Sequence, residues 1–359
     1  MESNPTIPIT KDYKVLVVCL TYNHSKYIVD ALNGFAMQKT NFPFACIVID
    51  DASTDGEPEV IKDWLKRECD MPRVVHYDLD LSDVIVVPHK SNENCTMAVY
   101  LLKRNLYTEG ALKFELARPW GEHSEYIALC EGDDYWTAPE KLQIQSDCLD
   151  TNPSLPMCVH CHYLENAQTK AIEKAKNEFE DNSILSAKTV ILHDGNIVAT
   201  NSIFHRAKLI WHDVPSFFTT MPYDFSLLIL GAINGGILFI NRPMSIHRLY
   251  VQDSFCTTMR EYPERNHCFH LQVCEMLKIL DYETENRYHD VISARILLFS
   301  IFYKNSTKDN RKIFNKYKTG FCKLSTLQKA SIISKCYFPN VGRFMLTICH
   351  KLGIQFQYY

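Results

Sequence analysis

Three carboxylates, Glu131, Asp133 and Asp134, fall within four positions around Gly132, directly after the short and nearly uncharged run 126–130. Carboxylates this close repel one another and lose hydration unless something positive joins them. A divalent cation carrying a phosphate is the simplest such partner. Mg2+ or Mn2+ typically takes a few carboxylate oxygens and fills its remaining positions with water and phosphate. The plainer reading is an acidic turn ahead of the helix that opens near Pro139. Two more polar clusters follow apolar runs: Thr21-Tyr22-Asn23-His24-Ser25 after 14–20, and Asp50-Asp51-Ala52-Ser53-Thr54-Asp55-Gly56 after 44–49. Asp78 and Asp80 share one face of an extended segment, but no apolar strand leads from them into a helix, and they read as solvated surface. Asp224 stands at the start of an apolar helix, where on its own it reads as a cap.

The elements that hold these clusters are legible from apolar runs. Residues 14–20, 44–49 and 126–130 are too short for helices and suit strands buried on both faces. Between them, Ser25 or Asn23 can cap a helix with Ile28, Leu32, Phe35 and Ala36 on one face, and Pro58 opens a helix to Arg67 that packs through Val60, Ile61, Trp64 and Leu65. Strand, polar loop, helix, repeated, implies a parallel sheet with right-handed crossovers, so the polar loops open on one edge, where ligands of such sheets bind. No Gly-x-Gly-x-x-Gly follows the first strand, which excludes the dinucleotide fingerprint.

Residues 74–80, 84–88 and 96–102 read as short strands, an inserted ribbon or flap. A helix over 139–150 packs through Leu142, Ile144, Cys148 and Leu149. Strands are expected at 157–163, 197–204 and 236–241, with a charged surface helix or loop at 165–181. From 261 onward the chain reads as helical, with apolar stripes at Cys268, Leu271, Val273, Cys274, Leu277 and Leu280 and at Val291, Ile292, Ile296 and Leu297.

The 359 residues carry a net charge of −4, which argues against general nucleic-acid binding. No run of about 18 apolar residues suits a membrane span, and the first 14 residues lack the apolar stretch of a signal peptide, so a cytoplasmic location is expected. Fourteen cysteines then read as reduced thiols. Cys158-Val-His-Cys161-His162 has the spacing of a covalent haem site, but it lies in a strand-like run, and no second ligand pair offers a zinc site.

The blocks Val-Cys-Leu-Thr-Tyr-Asn (18–23), Val-Ile-Asp-Asp-Ala-Ser-Thr-Asp-Gly (48–56) and Ala-Leu-Cys-Glu-Gly-Asp-Asp-Tyr-Trp (128–136) together resemble the family 2 glycosyltransferases of the GT-A fold. The resemblance runs over roughly 15–254, through Ala199-Thr200-Asn201-Ser202 and Pro222-Tyr223-Asp224-Phe225, and the Lys-Leu-Gln run at 141–143 is similar to bacterial members that build surface polysaccharides. It implies an α/β, Rossmann-like, mostly parallel sheet flanked by helices over 1–255, followed by a helical, basic extension over 256–359.

It further implies an inverting, metal-dependent transfer from a nucleotide sugar, a UDP-sugar first, to a saccharide or lipid-linked acceptor. Thr21, Tyr22, Asn23, Asp51, Ser53 and Asp133 would bind the nucleotide, with Asp51 at the base. Asp134, with Asp133 and Glu131, would hold Mn2+ or Mg2+, and Asp224 would be the general base. Where many members have Tyr-Arg-x-His this chain has His247-Arg248-Leu249-Tyr250, so water fills the His position, His247 substitutes, or the metal is held more weakly.

Residues 304–359 hold eleven Lys or Arg against one acid, Asp309, interleaved with aromatics. This composition suits either peripheral contact with the anionic inner face of a membrane or a solvated basic face. Two other functions stay open at this point, a catalytically silent nucleotide- or saccharide-binding module and a sugar nucleotidylyltransferase, although the loop after the first strand lacks the glycines and cation that hold a triphosphate.

Overall fold

The computed structural model describes residues 7, 9, 11–107, 113–193, 197–211, 213–221, 223–302 and 307–337. Pro222, Lys304 and the basic stretch beyond 337 lie outside them. The chain forms two compact units, the first made of Met1–Leu185, Val198–Asp213 and Asn234–Asp253, the second of Ser186–Ile197, Val214–Ile233 and Ser254–Tyr359.

The first unit is built on strands β1 (Tyr13–Thr21), β2 (Phe44–Asp50), β3 (Val75–Asp78), β4 (Ser82–Pro88), β5 (Cys95–Leu102), β6 (Ser124–Leu129), β7 (Tyr135–Trp136), β8 (Met157–His160), β9 (Tyr163–Asn166), β10 (Ile172–Lys174), β11 (Ser183–Leu185), β12 (Phe204–Arg206), β13 (Ile237–Ile240) and β14 (Ser245–Leu249). Among the described residues, ten of them make one sheet in the order β11-β13-β8-β12-β6-β1-β2-β5-β4-β3, and β10-β9-β14-β7 make a smaller one. The centre, β5-β2-β1-β6, is parallel. β2 is buried at every position, which is why its sequence is apolar without alternation. Helices α1 (Ile28–Ala36), α2 (Glu57–Glu68), α3 (Arg118–Glu122) and α4 (Lys141–Thr151) follow in chain order. Ile28, Leu32 and Phe35 of α1 and Ile61, Trp64 and Leu65 of α2 join the core cluster with Val15, Val17, Phe44 and Val48.

Several expectations are corrected. Residues 74–102 are no flap: β5 lies parallel to β2, and β4 and β3 extend the main sheet antiparallel beyond it. Neither Ser25 nor Asn23 caps α1: the helix starts at Ile28 with Tyr27 at its N-cap position and no side-chain cap, and the Asn23 side-chain oxygen accepts the Thr54 N–H of the next loop instead. Residues 157–163 divide between two sheets as β8 and β9. Of the charged stretch 165–181, expected as helix or loop, the part up to Lys174 forms a β9–β10 hairpin and the part beyond it is irregular chain, with no helix. Residues 200–202 form a turn of 3-10 helix before the short β12. Asp78 is solvated as expected, paired with Lys103 at 2.6 Å on the surface.

The core of this unit also holds a buried amine. Lys141 is fully buried, donating to Gln145 Oε1 at 2.7 Å and lying 4.0 Å from the centre of the Trp136 ring. Burial pulls its pKa down to about 7. The folded state therefore releases this proton near pH 7, while the unfolded chain keeps it to about 10.4. Between those values the unfolded state binds more protons, so the penalty is full below about pH 7 and fades as pH rises toward 10. Lys141→Met should remove that slope. Urea unfolding of both proteins between pH 7 and 10 should show wild type gaining on the variant by an amount on the order of a few kcal/mol. A constant gap would mean that the amine is charged and solvated in the fold.

The second unit is helical among its described residues. Besides the residues after 253, it takes in the helices Ala187–His193, Ser216–Thr220 and Asp224–Ile233. These are fixed from within the unit: Glu283 accepts the N–H groups of Ser216 and Phe217, and Lys188 pairs with Asp290 at 3.1 Å. The long helix Pro263–Glu283 buries His270, Val273, Cys274, Met276, Leu277 and Leu280, while Cys268 and Leu271 of the expected stripe are exposed. Val291, Ile292, Ile296 and Leu297 are buried as expected. Ala294, Leu297, Leu298 and Ile301 pack with Leu324, Ile332 and Cys336.

Asp281 Oδ2 lies 2.6 Å from His289 Nδ1, and His289 Nε2 lies 3.2 Å from Ser293 Oγ. Ser293 is fully buried, so this line of groups joins helix ends and presents no nucleophile to solvent. No described helix is long and apolar enough to cross a membrane.

Candidate active site

At the carboxyl edge of the parallel strands, the loop after β1 and the loop after β2 are laced together. Asn23 N donates to Ser53 Oγ at 2.8 Å, Thr54 N to Asn23 Oδ1 at 2.8 Å, and Ser25 N to Asp55 Oδ2 at 2.9 Å. Asn23 and Ala52 both take left-handed backbone, with φ of 57° and 59°. Asn tolerates this region, whereas alanine pays roughly 1 kcal/mol for it, so the lacing holds a strained turn in place. Behind both loops sits Glu57, fully buried at the start of α2. Its carboxylate accepts the hydroxyls of Thr21 (2.5 Å) and Ser53 (2.9 Å) and the N–H of His24 (2.8 Å).

The turn after β6 closes onto this pair. Cys130 N donates to Val18 O and Gly132 N to Leu20 O, which continues the ladder past the strand end. A Cβ on Gly132 would stand 2.0 Å from Thr21 Oγ1, so only glycine allows the approach. Asp133 is then brought to face the first loop, with its Oδ2 3.8 Å from His24 Nε2. Burial first, and the charge of Asp134 next, push the Asp133 carboxyl above its ordinary range, against the pull of His24 and His247.

Asp134 has a different setting. It is fully buried and accepts from Asn201 Nδ2 (2.9 Å), from the Arg248 N–H (2.8 Å) and, at 3.0 Å, contacts His247 Nδ1. Asn201 is held in turn by Ser245 and by the Ile246 carbonyl. Arg248 clamps the whole turn. Its guanidinium donates to Asp133 O at 2.9 Å and to Asp30 on α1, lies 3.5 Å from Glu165, and is sandwiched by the rings of Tyr135 and Tyr27. Burial alone would raise the Glu165 carboxyl, but hydrogen bonds from Tyr135 and Lys170 and the charge of Arg248 hold it below its ordinary range.

The structure thus brings together Thr21, Asn23, Ser53, Asp133 and Asp134 in the first unit. Tyr22 is exposed on the same loop, and Glu131 is exposed while its two acidic neighbours are buried. Asp51 is fully buried, and its two oxygens accept the N–H groups of Leu106 and Tyr107 at 2.7 and 3.2 Å, fixing the loop after β5. Tyr250 is exposed with φ of 64°, while His247 contacts Asp134. Asp224 belongs to the second unit; it is exposed at the first turn of its helix and accepts the Phe225 N–H at 2.7 Å. Among the described residues, no three His, Cys, Asp or Glu side chains are already gathered as a metal cage.

Glu57, His24, Asp30, Glu165, Asn201 and Arg248 were not read as site residues. The available signal was the polar run 21–25 for His24, the block 199–202 for Asn201 and the motif at 247–250 for Arg248; Glu57, Asp30 and Glu165 carry none in a single sequence. Asp50 was also missed. It is buried beside Asp51, with burial pushing its pKa up to about 6. The histidines of the 158–162 segment prove to be core groups, His162 pushed down to about 4 by burial, among free buried thiols.

An uncharacterized protein of Mycobacterium tuberculosis and one of Mycobacterium bovis are each 30% identical to this chain over 235 residues, which is 65% of this chain and 58% of theirs. The chain therefore spans less than two thirds of the length of these curated relatives. Residues 1–349 of S. aureus TarS in complex with UDP superimpose with a TM-score of 0.54 at 14% identity, covering 96% of this chain and 93% of that one. The same protein in complex with UDP-GlcNAc gives a TM-score of 0.50 at 14% identity, with 90% and 81% covered. At such identity the likeness is one of fold. The model of the family described as Glycosyl transferase family 2 matches residues 16–209, more than half of the 359, and it is to this family that the chain belongs.

Proposed function

We propose that the protein is an inverting, divalent-metal-dependent glycosyltransferase that moves a sugar from a nucleotide-sugar donor to a saccharide or lipid-linked acceptor in the assembly of a cell-surface polysaccharide. The observation that carries this reading is the meeting of the β1 loop, the β2 loop and the Asp133 turn on one edge of a parallel sheet. UDP is the first nucleotide to try, because the TarS complexes hold UDP and UDP-GlcNAc. Tyr22, Asn23 and Ser53 line the nucleotide side, and Asp51 acts there by holding the loop at 105–107.

Asp133 fits an oxygen-seeking cation, being a desolvated carboxylate next to a second one. Asp134 has three of its acceptor positions engaged and one left, so it supports the cation from behind, with Glu131 as an outer, exposed ligand and His247 fixing Asp134. When bound, Mn2+ or Mg2+ would offset the charge of the departing nucleoside diphosphate. Asp224 takes the proton of the acceptor hydroxyl. The exposed Lys308, Arg311, Lys312, Lys316, Lys318 and Lys323 suit peripheral contact with an anionic bilayer, which co-sedimentation with anionic vesicles would test.

Thermal unfolding should rise with one of UDP, GDP, CDP or dTDP in Mn2+ but not in EDTA. At about 100 times the dissociation constant the gain is roughly 2.7 kcal/mol. Asp133→Asn should remove the metal-dependent part. A second reading, a silent nucleotide-binding module, is favoured by the commitment of Asp134 to three partners; it predicts the nucleotide shift with no difference between Mn2+ and EDTA and no sugar-nucleotide hydrolysis.

A further inference from the structure

We propose that Phe255 and Tyr223, backed by Phe269, form a platform on which a pyranose ring of the acceptor stacks, so that the acceptor is read through a sugar ring and not through a lipid tail. This rests on the transferase reading above, and it concerns residues outside 16–209, the part matched by the family model. All three aromatics belong to the second unit, as does Asp224. Tyr223 directly precedes Asp224 in the chain, so the platform adjoins the carboxylate proposed to take the acceptor proton.

Both exposed rings stand on fixed backbone. Ser254 caps the helix Phe255–Glu261 by accepting the Thr257 N–H, which sets Phe255 at the first position of that helix. Tyr223 donates its N–H to the buried Ser226 Oγ at 3.0 Å, and its carbonyl accepts the Leu227 N–H at 2.9 Å. Phe269, on the helix Pro263–Glu283, meets Phe255 edge-on at 5.2 Å and Tyr223 edge-on at 5.6 Å between ring centres. The Phe255 and Tyr223 rings are 6.0 Å apart and tilted by 38°, so neither lies flat on the other. Phe255 is left 39% exposed and Tyr223 36%. Tyr262 shows the contrast, its ring covered by the Arg265 guanidinium at 4.9 Å.

The chemistry around the rings selects the occupant. An aromatic face is negative and attracts positively polarised C–H groups. A pyranose carries such groups on the faces of its ring and hydroxyls around its edge. The helices that hold Phe255 and Phe269 supply partners for those hydroxyls: Thr257 and Thr258 are half-buried, and Arg260, Glu261, Glu264 and Arg265 are exposed. An acyl chain or a second copy of this chain would call for an unbroken apolar surface, which four charged residues within six positions deny.

The test uses the whole protein without nucleotide or metal. Saturation-transfer NMR and calorimetry take the methyl α- and β-pyranosides of glucose, galactose, mannose and N-acetylglucosamine, with sorbitol as an open-chain control and octyl β-glucoside as a probe with both ring and chain. At least one pyranoside should bind, with saturation strongest on the protons of one ring face, and sorbitol should not. Phe255→Leu keeps apolar bulk without a π face and should weaken that pyranoside about tenfold, whereas Phe255→Tyr should keep it. Urea midpoints of both variants should stay near that of wild type, which a merely structural role would not allow. Tyr223→Leu should act in the same direction, and it decides the matter if Phe255→Leu fails to fold.

Sorbitol bound as tightly as the pyranosides, equal affinity in Phe255→Leu, or no pyranoside bound at concentrations on the order of tens of millimolar would each overturn the platform. Saturation of the octyl chain in place of the ring would overturn it in favour of a lipid tail, and a dimer lost in Phe255→Leu in favour of a second copy. The two readings fail separately. A metal-dependent nucleotide shift without sugar binding brings down the platform alone, whereas sugar binding through Phe255 without any nucleotide shift supports the platform and brings down the transferase.

Discussion

Arg248→Met should lower stability by about 3–5 kcal/mol in urea unfolding, a large share of what a domain of this kind possesses. The side chain is 5% exposed and serves four elements at once, reaching the Asp133 carbonyl, Asp30 on α1, Glu165 on β9 and the faces of Tyr27 and Tyr135. Removing it leaves Glu165 as a buried charge with only Tyr135 and the exposed Lys170 to serve it. Methionine keeps the apolar stem but not the guanidinium, so the loss combines charge and hydrogen bonding with the packing given up between the Tyr27 and Tyr135 rings. Arg248→Lys should recover little, because one ammonium cannot reproduce two diverging hydrogen bonds, to Asp133 O and Asp30, together with the contact to Glu165 and the stacking between two rings. Removing both members, as in Arg248→Met with Glu165→Leu, should recover part of the loss, since no uncompensated charge then stays inside. A single variant within about 1 kcal/mol of wild type would mean that the Asp133–Asp134 turn holds itself, and that the clamp is incidental.

The contrast between what could and could not be read from the sequence is clearest around this arginine. β1, β2 and β6 were legible because a strand buried on both faces needs an unbroken apolar run, and the polar residues that end each run are then at the sheet edge. That reasoning placed Thr21, Asn23, Ser53, Asp133 and Asp134 correctly on one edge. It failed where charged residues are buried. Glu57, Glu165 and Arg248 look like surface positions, and what buries them is a partner far away in the chain, 218 residues away for Arg248 and Asp30. No periodicity marks such a pair. The β9–β10 hairpin is hidden for the same reason: the charged composition of 165–181 reads as a surface helix or loop, although Glu165 is buried beside Arg248. The residue types of Asn23 and Ser25 suit a helix cap, but α1 starts later, with Tyr27 at its N-cap position, and the Asn23 side-chain oxygen takes the Thr54 N–H, a pairing that only the folded sheet creates.

Asp224→Asn should reduce sugar transfer by about 10²- to 10⁴-fold while leaving nucleotide affinity and stability where they were. The proposed role asks for one carboxylate that can hold a proton during the displacement, and asparagine keeps the shape without that capacity. It also keeps the structural role, because an asparagine oxygen can still accept the Phe225 N–H that Asp224 accepts at the start of its helix. Stability is therefore the internal control. Asp224→Leu, which removes both functions, should lose transfer to the same extent and in addition cost about 1 kcal/mol in unfolding. The comparison with Asp133→Asn separates the two acids: that substitution should weaken the metal-dependent nucleotide shift, whereas Asp224→Asn should leave it intact and lower kcat with little change in the donor KM. An Asp224→Asn protein that transfers sugar within a few-fold of wild type would leave Asp224 with its helix-end role alone, and the base would then have to be sought on another residue. Loss of nucleotide binding in that variant would argue that Asp224 shapes the donor pocket and that its effect on transfer is indirect.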